Sequence, residues 1–407
     1  MECGIVWIMA AEIEFLPQGT VTSPEGFFAG ATSAGINKRA ADKPDLAVLF
    51  SEAPCVAAAV FTAARLKAAP VLLSQKRLKE PAKIAAVVVN SGCANAYVGA
   101  EGLANAAEMA ELVGEGIGVA PEDVLVASTG VIGVPLPMEK IRASVENIIL
   151  ARDGGNQLAR AIMTTDSFPK EAAVGVKDGK VGFTIGGAAK GSGMIHPDLA
   201  TLLCFITTDA AVEKGFLQKA LKKAVDVSFN MISVDGDTSP NDMVLVMANG
   251  LAGDAPPALF EPALEQLCIR LAKRLARDGE GATRLIEVTV SGAASTLEAR
   301  KAARAVVGSS LVKAAVYGAD PNWGRIMAAV GRSGVEVIET KFDLSLGELA
   351  MVKAGKALPF DKAAVIELLK GEEVRFSADL NLGKGSATAW GCDLSPEYVT
   401  INSQYMT

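Results

Sequence analysis

A chain of 407 residues with a single histidine, His196, has few ways to activate a hydroxyl or a thiol, because any Ser-His-Asp or Cys-His arrangement would have to be built on that one ring. One route needs no imidazole. A threonine at the start of a chain carries its own base, since its α-amino group has an unperturbed pKa of about 7.7–8.0, close to the pH at which a general base works best. The segment Lys190-Gly-Ser-Gly-Met-Ile-His-Pro-Asp-Leu-Ala-Thr201-Leu-Leu-Cys-Phe-Ile-Thr-Thr-Asp209 is where such a threonine could be released. Ala200 is small, glycines lie upstream and an apolar strand follows Thr201, so backbone strain could be concentrated at the Ala200–Thr201 bond. Ala-Thr pairs are common, however, and the pattern by itself equally describes the ordinary start of a strand.

Other residues with chemical potential are less specific. Ser128-Thr129-Gly130 follows the apolar run Val124–Ala127, and glycine would let a backbone N–H approach a ligand closely, although a plain turn at a strand end has the same signature. Glu280 in its Gly-flanked loop reads as a solvated charge. Asp235, Asp237 and Asp242 lack the spacing and distal Glu of a calcium loop, so they read as a turn and no metal site is expected. Gly186-Gly187-Ala188-Ala189-Lys190-Gly191-Ser192-Gly193 matches neither a phosphate loop nor a GxGxxG turn and reads as a loop leading to the cleavage site. His196, so near Thr201, reads as a loop or folding residue.

Periodicity supplies the elements that would hold these groups. Leu46–Phe50, Ile84–Asn90 and Val124–Ser128 have strand character, and Gly102–Gly114 and Met138–Ala151 read as Ala-rich helices. After Thr201 the mixture repeats, with strands at Ile206–Thr208 and Asp242–Ala248 and helices at Lys214–Asn230 and Ala258–Ala276. A further α+β unit runs from about 285 to 407, with a strand at Ile286–Ser291, a helix at Leu297–Val307 and a strand-like stretch at Gly334–Ile338.

Composition bounds the rest. Half of the residues are hydrophobic and 21% are charged, enough apolar surface for substantial cores. A net charge of −7 with evenly mixed signs gives no basic stripe for nucleic acid or an anionic membrane, which leaves small molecules as the expected partners. Six cysteines without a CxxC pair predict neither zinc nor a disulfide frame and suit a reducing cytoplasm. The apolar stretch Gly4–Ala11 has eight residues against the roughly 20 that a bilayer requires, so a membrane span is not expected.

Several long blocks resemble the ornithine acetyltransferase family in order along the chain. They include Gly26-Phe-Phe-Ala-Gly, Asn90-Ser-Gly-Cys-Ala-Asn-Ala96, Ser128-Thr-Gly-Val-Ile-Gly133, Met163-Thr-Thr-Asp-Ser-Phe-Pro-Lys170, the Lys190–Asp209 segment and Asp235-Gly-Asp-Thr-Ser-Pro-Asn-Asp242. Asp278-Gly-Glu-Gly-Ala-Thr-Arg284, Gly318-Ala-Asp-Pro-Asn-Trp-Gly-Arg-Ile326 and Tyr398-Val-Thr-Ile-Asn-Ser-Gln-Tyr-Met-Thr407 continue the series. Residues 1–18 fall outside the resemblance, as an extension of unclear role.

The resemblance implies a self-processing fold of the N-terminal-nucleophile type: a layered α-β-β-α sandwich with a smaller α+β C-terminal domain. It implies autocleavage between Ala200 and Thr201 into an alpha chain, 19–200, and a beta chain, 201–407, which associate, commonly as a heterotetramer. Thr201 is then the nucleophile that takes acetyl from N-acetylornithine and passes it to glutamate, releasing ornithine and N-acetylglutamate in arginine biosynthesis. Thr129 and Gly130 become the oxyanion hole, and Thr164, Lys190, Thr201, Glu280, Asn402 and Thr407 bind substrate, with Thr165 an alternative to its neighbour Thr164. No cofactor is implied; acetyl-CoA use, which would make the enzyme bifunctional, is left open. The rivals are an aminopeptidase or amidohydrolase that hands the acyl group to water and a non-enzymatic binding protein of the same fold.

Overall fold

The computed structural model describes residues 12–37, 43–80, 83–196 and 202–404. Gly4–Ala11, Ala200, Thr201 and Thr407 lie outside the described residues.

The long strand Leu46–Phe61 organises the first two layers because it serves two sheets. Its first half pairs antiparallel with Phe27–Thr32 and Ile84–Asn90, and Ile84–Asn90 pairs parallel with Val124–Ser128. Past a register shift between Phe50 and Cys55 its second half pairs with Met243–Asp254. The second sheet continues through Leu203–Ala211, Val181–Lys190 and Lys170–Asp178 to an edge strand, Glu12–Phe15.

Strand alternation sorts the side chains into layers. Ile84, Val87 and Val89 of the first sheet share one core with Leu203, Phe205, Leu245 and Met247 of the second, so these faces pack on each other. The opposite residues of the first sheet, Ala86, Val88, Val124 and Val126, pack under Ala106, Met109 and Val113 of the helix Gly99–Ile117 and Ile141 of Met138–Ser144. Cys204, Ile206, Val244 and Val246 face the helices Lys214–Val227 and Pro257–Arg277. The order is therefore helix, sheet, sheet, helix, the four-layer sandwich that the resemblance implied. Burying both faces of each sheet explains why these strands are nearly uninterrupted apolar runs.

Beyond Pro257–Arg277 lies a seven-stranded sheet, in which Leu285–Ala293 pairs parallel with Glu373–Asp379 and antiparallel with Gly385–Cys392. Its edge is the short strand Ile232–Ser233, which stands before residue 285 in the chain and ties this sheet to the sandwich. No helix among the described residues is long and apolar enough to cross a membrane.

Four expectations need correction. The helix from Met138 stops at Ser144 rather than Ala151 and gives way to a 3-10 turn, Val145–Asn147, because Ala151 is drawn into paired backbone hydrogen bonds with Ala29. The helix from Lys214 ends at Val227, and Phe229–Met231 forms a separate 3-10 turn. Gly334–Ile338 is no strand; it follows a helix end through a left-handed Gly334 and pairs with none of the described strands. The glycine-rich run is not a loop as far as Lys190, since Val181–Lys190 pairs on both edges. Its small residues serve packing: side chains at 186 and 187 would strike the Thr20 carbonyl and Leu271.

Candidate active site

Several strand ends come into register at one side of the sandwich: Asn90 with Ser128, Lys190 with Leu203, Leu203 with Met243, and Met243 with Phe61. The residues just past these ends open a cleft of about 190 Å³, lined by Thr129, Gly130, Thr164, Thr165, Lys190, Glu280 and Asn402 among others. Six of the sequence-derived candidates thus meet in one place. Thr201 itself lies outside the described residues, but Leu202, its neighbour, immediately precedes the strand whose first residue, Leu203, pairs with Lys190.

Thr129 and Gly130 leave the strand Val124–Ser128 in different ways. The Thr129 N–H is spent on the Asn90 carbonyl at 3.0 Å, so the donor Thr129 can offer is its hydroxyl, whose oxygen accepts from Lys190 Nζ at 3.3 Å. Gly130 has φ of +126°, and a side chain there would collide with the backbone of Gly92 and Cys93, which only glycine avoids. Among the described residues the Gly130 N–H has no partner. Asn241 fixes this turn from below, its amide donating to Ala94 O at 2.7 Å and Ser128 O at 2.9 Å. A hydroxyl and a backbone N–H held on a rigid turn suit a developing oxyanion.

Lys190 is buried at the end of its strand and donates to Thr164 Oγ1 at 2.8 Å. Burial pulls its ammonium below the usual lysine range, against the attraction of Asp166. Thr165 turns instead to Ser192, with 2.6 Å between the hydroxyls, so the neighbouring threonines are distinguished by their partners.

Beneath them is a charge cluster that the sequence did not single out. Fully buried Lys170 binds Asp166 Oδ1 and Asp278 Oδ2, each at 2.6 Å. Asp166 also accepts the Gly191 N–H at 2.7 Å and the Thr164 N–H at 3.0 Å, fixing the backbone on both sides of the Lys190–Thr164 contact. Burial alone would raise the Asp166 carboxyl, but Lys190, Lys170 and the Gly191 N–H outweigh it and bring it to about 2. The available signal was a Lys four residues after an Asp within one of the quoted blocks.

Glu280 is not merely a solvated charge. Its N–H donates to Ser192 O at 2.8 Å, and its carboxylate accepts from Asn402 Nδ2 at 2.8 Å across the cleft. Gly193 makes room for it, since a Cβ there would lie 2.5 Å from the carboxylate. Asp235 behaves as a turn residue, capping Met194 N and Ile195 N. Asn241 and Asp242 were also missed as site residues; the clue was a polar pair leading directly into the buried run Met243–Ala248.

The cleft thus combines a buried cation, an opposed carboxylate and two potential oxyanion donors around the start of the strand that follows Thr201. The family model for the ArgJ family matches residues 28–407. The chain is 54% identical over 398 residues to the arginine biosynthesis bifunctional protein ArgJ of Symbiobacterium thermophilum, covering 96% of this chain and 99% of that one. It is 52% identical over 406 residues to the protein of the same description from Dehalococcoides mccartyi, covering 98% and 100%. A solved structure described as ornithine acetyltransferase complexed with ornithine, from Mycobacterium tuberculosis, shares 37% identity, with a TM-score of 0.43 over 47% of this chain and 100% of that chain. Matched by the family model from Phe28 to its last residue, and by relatives along nearly their whole length, the chain belongs to the ArgJ family.

Proposed function

We propose that the chain cuts itself between Ala200 and Thr201 and that Thr201, now at a chain start, carries acetyl from N-acetylornithine to glutamate. The protein is an enzyme, an acetyltransferase of arginine biosynthesis, as its family membership gives. The observation that carries the site assignment is the convergence of buried Lys190, Glu280 and the Thr129–Gly130 turn on one cleft beside Leu202.

In this reading the free α-amine of Thr201 removes the proton from its own hydroxyl, directly or through water, as Oγ attacks the acetyl carbonyl. The oxyanion that forms is held by the Thr129 hydroxyl and the Gly130 N–H, worth roughly 3–4 kcal/mol per donor. Collapse expels ornithine and leaves acetyl-Thr201; the amine of glutamate then attacks that ester and departs as N-acetylglutamate. Lys190 receives the substrate α-carboxylate, Thr164 orients Lys190, Glu280 with Asn402 faces an ammonium, and Thr407 adds a neutral hydrogen bond. Every acid, base and nucleophile comes from the chain, so no cofactor is assigned. Acetyl-CoA as a second donor to the same threonine is our reading of the description "bifunctional" carried by the relatives.

The fragments 19–200 and 201–407 stay associated in this proposal, since strands from both lie side by side in one sheet at Lys190 and Leu203, and two such pairs form a heterotetramer. The cytoplasm is the compartment that suits its five described cysteines, all buried and unpaired. Intact-mass measurement of the purified protein tests the cut directly. Acetylornithine supplied with and without glutamate tests transfer: ornithine release that depends on glutamate is expected, whereas acetate release indifferent to glutamate would mark a hydrolase. N-acetylglutamate formed from acetyl-CoA and glutamate alone tests the second donor.

A further inference from the structure

Self-cleavage poses a problem that transfer does not. In the uncut chain the Thr201 nitrogen is part of the peptide bond to Ala200 and cannot act as a base, so the first activation of the Thr201 hydroxyl needs a proton acceptor from elsewhere. Asp242 is placed for it. Its carboxyl is buried, with the residue 2% exposed. Oδ1 accepts the Leu202 N–H at 3.1 Å, while Oδ2 is buried without a hydrogen-bond partner among the described residues. Leu202 N is bonded to the carbonyl carbon of Thr201, and covalent geometry keeps the Thr201 hydroxyl oxygen within about 5 Å of that nitrogen. The other carboxylates of the cleft are engaged: Asp166 holds Lys170, Gly191 N and Thr164 N, and Glu280 holds Asn402.

We propose that Asp242 Oδ2 is the base that takes the Thr201 hydroxyl proton in self-cleavage. This rests on the reading of Thr201 as the cleaved residue and adds the group that makes its first reaction possible. As the proton passes to Asp242, Thr201 Oγ bonds to the Ala200 carbonyl carbon. The Ala200–Thr201 C–N bond then breaks, and the departing nitrogen takes the proton back from Asp242. The resulting ester is opened by water, which leaves an Ala200 carboxylate and a free Thr201 hydroxyl. Asp242 ends as it began.

The surroundings suit this task. Burial raises the carboxyl well above the usual carboxylate range, opposed by the Leu202 N–H and Lys190; the Ser239 hydroxyl also favours the charged form without making a sound hydrogen bond to Oδ2. Lys190, at the end of the strand on the far side of Leu203–Ala211, is the cation that acts on Asp242, and Lys190 in turn feels Asp166, Lys170 and Glu280. A carboxylate whose proton affinity is raised by burial is a stronger base than a solvated one.

The test follows newly translated full-length chain in a cell-free system, scoring the Ala200–Thr201 cut by intact mass from pH 5 to 9. Asp242→Asn keeps an oxygen for the Leu202 N–H and lacks the base, so cleavage at pH 7 should slow by about 100-fold or more. In Asp242→Ala, added formate should restore the cut in proportion to its concentration. Asp242→Asn cleaving within threefold of the unaltered chain would overturn the proposal, and so would an Asp242→Ala chain left uncut at every formate concentration. Should neither variant give a cooperative melting transition, the unaltered chain decides: a rate rising tenfold per pH unit and levelling above the ordinary carboxylate range supports Asp242, and a flat profile refutes it. An unaltered chain that stays whole would instead refute the reading of Thr201.

Discussion

Replacing Lys170 with Met keeps the length and apolar stem of the side chain and removes one buried charge, which isolates the electrostatic part of its role. Lys170 is fully buried between Asp166 and Asp278, 2.6 Å from each, and their side chains are 0% and 5% exposed. In the intact protein the Asp166 carboxyl, brought from 3.8 to about 2, contributes about 2 kcal/mol at neutral pH through that shift alone. The sign follows from its depression: this stability is fully present above the unfolded pKa near 4 and is lost as pH falls from there through the folded value near 2. Lys170→Met strands two buried carboxylates, leaving Lys190, 3.9 Å from Asp166, and Arg274, which acts on Asp278 without an ion-pair contact, as neighbouring cations. Breaking a buried ion pair from one side costs about 3–5 kcal/mol. With an unfolding entropy of about 2.1 cal/mol/K per residue, that lowers the melting midpoint of a chain this long by about 4–6 °C. The Asp166 carboxyl of the variant, no longer held down by Lys170, rises and takes up a proton, so the deficit relative to the unaltered protein shrinks between pH 7 and pH 5. Differential scanning calorimetry at both pH values reads this, and Lys170→Met with Asp278→Asn should recover part of the loss. A midpoint within 1 °C of the unaltered protein at pH 7, or a deficit equal at both pH values, would refute the reasoning.

Thr129→Ala removes the hydroxyl donor while leaving the Gly130 N–H, and steady-state kinetics should show kcat down by about 10²–10³ with KM for acetylornithine nearly unchanged. Glu280→Gln keeps the hydrogen bond from Asn402 but discards the charge, so KM for the ammonium-bearing substrate should rise by about tenfold or more with cleavage unaffected, read by initial rates and intact mass. Gly193→Ala pushes a methyl against the same carboxylate, 2.5 Å away, and should reproduce the Glu280→Gln defect in KM while the melting midpoint moves less than in Lys170→Met.

The strands that carry the site were legible because they are buried on both faces. Ile84–Asn90 and Val124–Ser128 occur where periodicity put them, since an unbroken apolar run flanked by turn residues has few other uses in a folded chain. Expectations failed where a local pattern met a tertiary constraint. The helical pattern after Met138 was cut short by the pairing of Ala151 with Ala29, far away in sequence, and the glycines at 186 and 187 looked like a loop because nothing local reveals that a carbonyl and a leucine press on them.

By itself the sequence determined the family, the candidate nucleophile and most of the residues around the cleft, because a single histidine narrows the commoner nucleophile chemistry to one ring and the quoted blocks hold the site residues in order. Only the tertiary structure decided what each group can do. It used up the Thr129 N–H and left the hydroxyl, gave Thr164 rather than Thr165 to Lys190, and set Lys170 between two aspartates. Among the described residues it also left one oxygen of Asp242 unpaired beside Leu202. The reason is physical: residue type fixes which protons and charges are available, whereas burial and partners, which depend on chain segments meeting across more than a hundred residues, fix which of them are free to react.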